Sequence, residues 1–370
     1  MKDRVLYIVS RLTKSGTNIQ LYSLLSNLDR DRYEPIILTI YSENASSMKE
    51  KFEKLDIKIL TLNLHKIDFL KLKNKINLIT SNTQPDIIHT TCFTGDYIGA
   101  FYCKDFKVCT TIHSNPNNYY KATYGSLSGK ILSRVHIEFM KRIQYPISCS
   151  YAISSEIKKM YKFETLVVQN GVDDVYFNQV SNEEKKKLRE KLGIKFDKKI
   201  FLYVGSLDRR KDPLTLISAF KQADINGAEL LIIGEGPLSD ECNSIANESI
   251  KILGHKSNVK EYLQSSDVFI SASTSEGLPM AVLEAMSTGK PLILSDIGPH
   301  LELIDNEHKN GELFQVGNIN HLREVLIKFN NISLDEMSTN SRKLVNENLN
   351  SNSMSMKYQK FYDEMLSNKF

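Results

Sequence analysis

The chain has 370 residues, more than a single hydrophobic core usually organises, so we expect two domains. Hydrophobic residues make up 41% and charged residues 25%, which excludes a disordered, collagen-like or low-complexity chain. Residues 1–180 carry 24 Lys and Arg against 17 Asp and Glu, and such a basic half is typical of an anionic partner, lipid or nucleic acid, or of a solvated lysine-rich surface.

The first half alternates short apolar runs with helical patterns. Residues 5–9 predict a strand, followed by a loop that contains Gly16 and by a helix with apolar residues at helical spacing from Ile19 to Leu28. The next predicted elements are a helix at 48–55 and strands at 35–40, 57–60, 85–89 and 108–112. Strands that alternate with helices indicate a mostly parallel sheet covered on both faces.

The second half repeats this alternation. Its predicted strands are residues 200–204, 229–233, 250–253, 268–271 and 291–294, and its predicted helices are residues 212–224, 237–247, 258–265 and 279–288. A capped, highly charged helix begins at Ser181 and is typical of a linker rather than a core. We therefore expect an α/β protein with two Rossmann-like, doubly wound domains, residues 1–178 and 190–350, facing a central cleft, with ligands at the carboxyl ends of the strands.

The segment from Ser273 to Pro291 carries the strongest chemical signal. It contains a strand end, a glycine turn, a proline at a helix start and a helix whose free N–H groups favour an anion. Glu276 lies in the loop and Glu284 inside the helix, and two carboxylates suit the hydroxyl groups of a sugar and a ribose. The alternative is a pair of solvent-facing glutamates around a helix start.

The stretch Ser-Glu-Gly-Leu-Pro-x-x-x-Leu-Glu-Ala-Met, with Glu276 and Glu284 at its two glutamates, resembles the signature of retaining nucleotide-sugar glycosyltransferases of family 4. That family has the two-domain GT-B fold. Further segments resemble blocks of the same family in the same order, namely residues 169–173, 203–220, 233–238 and 311–314.

The resemblance implies roles for individual residues. Arg210 and Lys211 match the basic pair that binds the donor diphosphate, Glu276 the carboxylate that holds donor-sugar hydroxyls, and Glu284 the one that holds the ribose. His113 matches a histidine beside the reacting sugar, although a lone histidine is more often structural. The catalytic set is thus His113, Arg210, Lys211 and Glu276. The other implied donor contacts are Gly16, Thr17, Gly205, His255, Gly277, Leu278, Pro279 and Met280.

One position departs from the family pattern. Ser206 stands where many relatives have arginine, which leaves open whether Arg209 replaces that cation. The resemblance implies front-face attack by the acceptor hydroxyl and a nucleotide-sugar co-substrate, with UDP-sugar favoured, and no cofactor. It also implies metal-independent chemistry, and the adjacent Asp173 and Asp174 lack the spacing of an Asp-x-Asp metal site.

The expected location is the cytoplasm. The five cysteines are an odd number without a CxxC pair, which is compatible with a reducing compartment, and no stretch is long and apolar enough to span a bilayer. Residues 126–145 place Leu127, Ile131, Val135, Phe139 and Ile143 four apart among basic residues. This pattern fits a helix that rests on anionic lipid, and equally a core helix with a basic outer face. The resemblance to family 4 implies the first of these, at the inner face of the cytoplasmic membrane.

Family resemblance implies a saccharide or lipid-linked saccharide acceptor, in surface polysaccharide assembly such as lipopolysaccharide O antigen or capsule, and no nucleic-acid partner. It also implies that a helix over residues 351–370 returns to the first domain. Two alternatives stay open: an epimerase or phosphorylase on the same fold, and a catalytically silent scaffold subunit. A dehydrogenase is excluded because the third glycine of a G-x-G-x-x-G fingerprint that starts at Gly234 falls on Ser239.

Overall fold

The computed structural model describes residues 2–64, 71–305, 307 and 309–367, and the chain divides into two units. Unit 1 comprises residues 1–171 and 351–370, and unit 2 comprises residues 172–350.

All strand pairs of unit 1 are parallel. Its strands are β1 (Asp3–Val9), β2 (Tyr33–Thr39), β3 (Lys58–Thr61), β4 (Ile87–Thr90), β5 (Lys107–Ile112), β6 (Tyr145–Ser148) and β7 (Leu166–Val167). They lie in the order β3-β2-β1-β4-β5-β6-β7. Its helices are α1 (Gly16–Ser26), α2 (Lys49–Glu53), α3 (Leu72–Thr83), α4 (Cys92–Tyr102), α5 (Pro116–Tyr124), α6 (Ser126–Met140), α7 (Tyr151–Tyr161) and, from the end of the chain, α16 (Ser351–Leu366).

Unit 2 has the same kind of parallel sheet. Its strands are β8 (Lys199–Val204), β9 (Ala228–Ile233), β10 (Ile250–Ile252), β11 (Val268–Ser271), β12 (Leu292–Ser295) and β13 (Gly311–Phe314), in the order β10-β9-β8-β11-β12-β13. Its helices are α8 (Asn182–Leu192), α9 (Pro213–Ala223), α10 (Ser239–Ile245), α11 (Val259–Ser265), α12 (Met280–Ser287), α13 (Gly298–Leu301), α14 (Ile319–Asn331) and α15 (Asp335–Leu344), which continues into a π-helical segment, Val345–Leu349.

The apolar runs of the sequence form the central strands because both faces of each sheet are covered. Residues 5–9 of β1 are at most 1% exposed, and the four residues of β11 are all buried. Continuous apolar strands of this kind are typical of parallel sheets with helices on both faces. The expected pair of Rossmann-like, doubly wound domains is confirmed.

Helix α16 belongs to the core of unit 1. Tyr358 and Tyr362 are fully buried, and the Tyr362 hydroxyl lies 2.7 Å from Nδ1 of His89 on β4. Nε2 of the same histidine lies 2.7 Å from the Thr111 hydroxyl on β5. The end of the chain is therefore tied to two strands that lie far from it in sequence. Residues 368–370 of the predicted tail lie outside the described residues.

The boundary between the units differs from the expected one at residue 178, because residues 172–181 pack within unit 2. The Phe177 carbonyl accepts hydrogen bonds from the Arg342 guanidinium at 3.0 Å and from the Ser287 hydroxyl at 2.5 Å. The charged helix α8, expected as a linker, contributes the buried Arg189, whose guanidinium pairs with Asp267 at 2.7 Å.

Helix α6 is shorter than the predicted helix over 126–145 and faces differently. It ends at Met140, so Ile143 lies beyond it, in the core. Its buried residues are Gly129, Ser133 and His136, followed by the apolar Ile137 and Met140. A small residue is needed at position 129 because α5 lies so close that a Cβ on Gly129 would stand 2.6 Å from the Lys121 backbone. Leu127, Ile131 and Val135 therefore face outward. The interpretation as a core helix with a basic outer face is therefore wrong for Leu127, Ile131 and Val135, whereas Phe139 and Ile143 of the same stripe pack in the core of unit 1.

Candidate functional site

The strand order of unit 2 reverses direction between β8 and β11. At such a point the loops that follow the two strands diverge and leave a crevice at their carboxyl ends, where α/β sheets bind ligands. The loop after β8 carries Arg210 and Lys211, and the loop after β11 carries Glu276. The topology thus joins residues that are more than sixty positions apart in the sequence.

Glu276 is 8% exposed and has three side-chain partners. Its Oε2 accepts a hydrogen bond from Nη1 of Arg210 at 2.9 Å, and its Oε1 accepts one from the Ser273 hydroxyl at 2.7 Å and pairs with the Lys211 ammonium. Glu284, inside α12, is also 8% exposed. The alternative of two solvent-facing glutamates is therefore wrong.

The charge state of Glu276 follows from these contacts. Burial by itself raises the pKa of the carboxyl, but Lys211 and Arg210 outweigh that effect and lower the pKa to about 2. Glu276 is therefore ionised at neutral pH and acts as a hydrogen-bond acceptor. An efficient general base or acid has a pKa near the operating pH, so Glu276 is suited to holding hydroxyl groups rather than to moving protons.

The basic pair is held in place by its own loop. Oδ1 of Asp208 accepts hydrogen bonds from the backbone N–H groups of Arg210 at 2.9 Å and Lys211 at 3.0 Å. The Arg210 carbonyl accepts one from the Thr274 N–H at 2.8 Å, which ties this loop to the loop of Glu276. Arg209, which lies between Asp208 and Arg210 in the sequence, is exposed. Because hydrogen bonds join these two loops, the Arg210 and Lys211 side chains are positioned before any ligand binds.

Gly205 and His255 lie on the neighbouring loops of unit 2. A Cβ on Gly205 would stand 2.7 Å from the Tyr203 hydroxyl, so this glycine makes room for a buried tyrosine at the end of β8. His255 is exposed on the loop after β10, and its backbone N–H donates to Oε1 of Glu235 at 3.0 Å. Neither contact includes Glu276, and their roles in donor binding stay predictions.

The turn before α12 is buried from Gly277 to Met280. Pro279 is the residue that precedes the helix, one position earlier than expected, and the helix begins at Met280. The first N–H groups of a helix have no partner inside it, so this end of α12 favours a negatively charged ligand group.

The other predicted residues belong to unit 1. His113 follows β5 directly, and its Nε2 is buried without a hydrogen-bond partner among the described residues. Burial lowers the pKa of His113 to about 4, although the charge of Asp96 acts in the opposite direction, so the imidazole is neutral at neutral pH. Gly16 and Thr17 open α1, where the Ser15 hydroxyl accepts a hydrogen bond from the Asn18 N–H at 3.4 Å.

Asp96 and His300 are buried polar groups that the sequence patterns did not mark. Asp96, on α4, is fully buried and accepts hydrogen bonds from Thr90 and Thr110 at 2.6 Å each and from Nε2 of His136 at 2.8 Å. His300, on α13, is fully buried as well. An acid or imidazole inside a segment that otherwise packs against a strand is the sequence signal that could have marked both.

Among the described residues, no group of three or more His, Cys, Asp or Glu is placed to hold a metal ion. In that same part of the chain, no helix has the length and apolar character needed to cross a membrane.

Two family models match the chain, one in each half. Residues 14–176 match Glycosyltransferase Family 4, and residues 184–344 match Glycosyl transferases group 1. Among curated relatives, the UDP-Gal:α-D-GlcNAc-diphosphoundecaprenol α-1,3-galactosyltransferase of Escherichia coli is 29% identical over 300 residues, which cover 77% of this chain and 76% of that protein.

Solved structures share the fold at low sequence identity. A glycosyltransferase from Rickettsia africae has a TM-score of 0.79 at 22% identity and covers 99% of both chains. HepE from Anabaena, in complex with UDP and glucose, has a TM-score of 0.83 at 17% identity and covers 98% of this chain and 100% of that one. With both family models matched in order, the chain belongs to the family 4 type of glycosyltransferases and has their GT-B fold.

Proposed function

We propose that this protein transfers a sugar from a UDP-sugar to a saccharide or lipid-linked saccharide, with retention of configuration, in the assembly of a surface polysaccharide. The observation that carries the proposal is the cluster of Glu276 with Arg210 and Lys211 at the strand-order reversal of unit 2. This cluster supplies an acceptor for sugar hydroxyls beside two cations for a diphosphate.

The two cations stabilise the leaving group. A cation about 4 Å from a phosphate gains ~4 kcal/mol at an effective dielectric constant of about 20, against ~0.3–2 kcal/mol from a helix N-terminus. The side chains of Arg210 and Lys211 are 26% and 15% exposed, so a ligand can reach them. Because they provide the positive charge themselves, we propose that turnover needs no metal ion.

Glu276 is poorly suited to act as a nucleophile because both of its oxygens are engaged by cations. We therefore assign front-face attack. The acceptor oxygen bonds to the anomeric carbon on the face from which the diphosphate departs, the bond from that carbon to the phosphate oxygen breaks, and the acceptor proton passes to the departing phosphate oxygen. The new bond then has the configuration of the old one.

The choice of UDP and of a saccharide acceptor is supported by relatives. HepE has been solved with UDP and glucose, and the Escherichia coli relative is named for UDP-Gal and for a lipid-linked saccharide acceptor. Their specificity comes to this chain as a proposal, and the particular sugar is left to experiment.

Ligand binding tests the donor. UDP, GDP, ADP and their common sugars are screened by thermal shift and calorimetry in the presence of EDTA, where a ligand at a hundred times its Kd stabilises a protein by ~2.7 kcal/mol. We expect UDP and one UDP-sugar to bind. Preference for GDP or ADP would contradict the UDP assignment, and a requirement for a divalent ion would contradict metal independence.

The stereochemistry is tested on the product. With an α-linked UDP-sugar and a saccharide acceptor, proton NMR of the isolated product should show an α-linkage. A β-linked product would refute retention while leaving the donor assignment intact.

We further propose that the α5–α6 hairpin rests on the anionic inner face of the cytoplasmic membrane. Leu127 is 75% and Ile131 57% exposed, and Val135 continues the same stripe at 39%. Lys130 and Arg134 are exposed on the same helix. An outward apolar stripe flanked by cations suits the boundary between acyl chains and acidic headgroups.

Vesicle flotation tests this contact. The wild type should float with vesicles that contain anionic phosphatidylglycerol and not with pure phosphatidylcholine, and the double variant Leu127→Ser, Ile131→Ser should lose flotation. Ile327→Ser, at an exposed apolar position of unit 2, serves as the matched control and should float normally. Absence of wild-type flotation with either vesicle would overturn the proposal.

A further inference from the structure

His300 is a buried polar group next to the donor cluster to which no role has yet been assigned. It lies on α13, which follows β12, the strand beside β11. Its Nδ1 lies 2.9 Å from the carbonyl oxygen of Ser295. Its Nε2 is buried and has no hydrogen-bond partner within the described residues.

The contact with Ser295 fixes which nitrogen carries the proton. A carbonyl oxygen only accepts hydrogen bonds, so Nδ1 carries the hydrogen and donates it. Burial lowers the pKa of His300 to about 4, although the charge of Glu276 acts in the opposite direction. The ring is therefore neutral at neutral pH, and Nε2 presents a lone pair without a hydrogen.

His300 belongs to the surroundings of Glu276. The Ser295 hydroxyl donates to the Ser273 carbonyl at 2.5 Å, and the Ser273 hydroxyl donates to Glu276 at 2.7 Å. The Ser295 hydroxyl also lies 3.1 Å from Nδ1 of His300, so one chain of contacts joins the imidazole to the Glu276 carboxylate. His300 is thus connected to the loop of Glu276 through Ser295 and Ser273.

We propose that Nε2 of His300 accepts a hydrogen bond from a hydroxyl group of the transferred sugar, beside Glu276, and so helps to select that sugar. The proposal rests on the proposed function. An ionised diphosphate has only acceptor oxygens and cannot donate to Nε2, whereas a sugar hydroxyl can. A buried acceptor left without a donor costs ~1–3 kcal/mol, so the site discriminates against a sugar that lacks this hydroxyl.

Two substitutions separate the two nitrogens of the ring. In His300→Asn the side-chain amide reproduces the Nδ1 donor and removes the acceptor, and in His300→Gln the amide oxygen comes near the position of Nε2. We expect kcat/KM for the UDP-sugar to fall ~10–100-fold in His300→Asn and to recover in large part in His300→Gln. The Kd for UDP alone should stay within about threefold of wild type in both, because the nucleotide carries no hydroxyl of the transferred sugar.

A series of monodeoxy UDP-sugars gives a readout that a merely structural role would not move. The wild type should discriminate against one monodeoxy donor in particular, and His300→Asn should lose that discrimination while keeping the others. Unchanged discrimination in His300→Asn, or equal weakening of UDP and UDP-sugar binding, would overturn the proposal.

Two further results keep the test decisive. If His300→Asn does not fold, His300→Gln is tested with the same donors and should discriminate among them as the wild type does. Loss of that discrimination in His300→Gln would overturn the proposal. Wild-type turnover is measured first: its absence with every UDP-sugar refutes the proposed function, whereas turnover with an indifferent His300→Asn refutes only the role of His300.

Discussion

Each unit buries a carboxylate just beyond a corresponding strand, and the two carboxylates are used differently. β4 in unit 1 and β11 in unit 2 each lie beside the first strand of their unit, where the strand order reverses. Asp96 follows β4 and Glu276 follows β11, and each accepts a hydrogen bond from a hydroxyl at the end of that strand or just beyond it, Thr90 or Ser273.

The difference lies in the remaining partners. Asp96 is bound by Thr110 and His136, which are at most 6% exposed, so its site is closed. Glu276 is bound by two cations that keep part of their surface accessible. A buried carboxylate is structural when its partners are buried with it, and it can serve a ligand when its partners reach the surface.

The largest expected effect is the loss of turnover when the open cluster is dismantled. Lys211→Ala and Glu276→Ala should each lower kcat/KM by ~100–1,000-fold, because Lys211 stabilises the leaving group and Glu276 positions the sugar, and one such preorganised group typically contributes 10²–10³-fold. Steady-state kinetics and thermal unfolding of both variants provide the measurement. Lys221→Ala, at an exposed position on α9, is the control and should behave as wild type. Near-normal turnover in either variant would remove that residue from the catalytic set.

Removal of the Asp96 carboxylate from its buried cluster should lower the stability of the protein. Asp96→Ala leaves two buried hydroxyls and the His136 imidazole without their acceptor. Each unsatisfied buried group costs ~1–3 kcal/mol, so we expect the free energy of unfolding to fall by ~3–5 kcal/mol. Urea unfolding measures this change, with the exposed Asp105→Ala as control. UDP affinity of the folded variant should be unchanged. A loss below about 1 kcal/mol would mean that Asp96 is not a structural anchor.

A buried cation outside the donor site should depend on pH. Burial is the main cause that lowers the pKa of Lys290 from 10.5 to about 7. Between these values the unfolded chain binds more protons than the folded one, so stability rises with pH. Between about pH 6 and about pH 9, the free energy of unfolding of the wild type should rise by ~2–3 kcal/mol relative to that of Lys290→Met. Urea unfolding at several pH values measures this change. A difference in unfolding free energy between wild type and variant that stays constant over this pH range would contradict the lowered pKa.

The smallest effect is expected at Arg209. This residue is exposed beside the basic pair, so Arg209→Ala should keep kcat/KM within about threefold of wild type, whereas Arg210→Ala should lose at least about a hundredfold. Kinetics of the two adjacent variants, measured side by side, decide whether Arg209 replaces the arginine that many relatives have at the position of Ser206. A loss in Arg209→Ala as large as that in Arg210→Ala would show that it does.

The strands and the glutamate motif could be predicted because their signals are local. β8 begins at Lys199 and ends at Val204, against a predicted strand at residues 200–204, and the helix of the motif begins at Met280, one residue after the expected start. The face of α6 could not be predicted. Its apolar stripe would suit a core, but the close approach of α5 at Gly129 turns the small residues inward.

The sequence by itself determined the two parallel sheets, because continuous apolar runs between helices can be buried only in that way. It also determined the chemical type of the site through the residues around Glu276. Only the tertiary structure decided which groups lie around Glu276. Arg210 and Lys211 follow β8, and His300 follows β12, which begins a chain segment that the sheet order brings beside β11. The hydrophobic pattern of a segment specifies that it is buried, whereas the strand order specifies which other segments lie beside it.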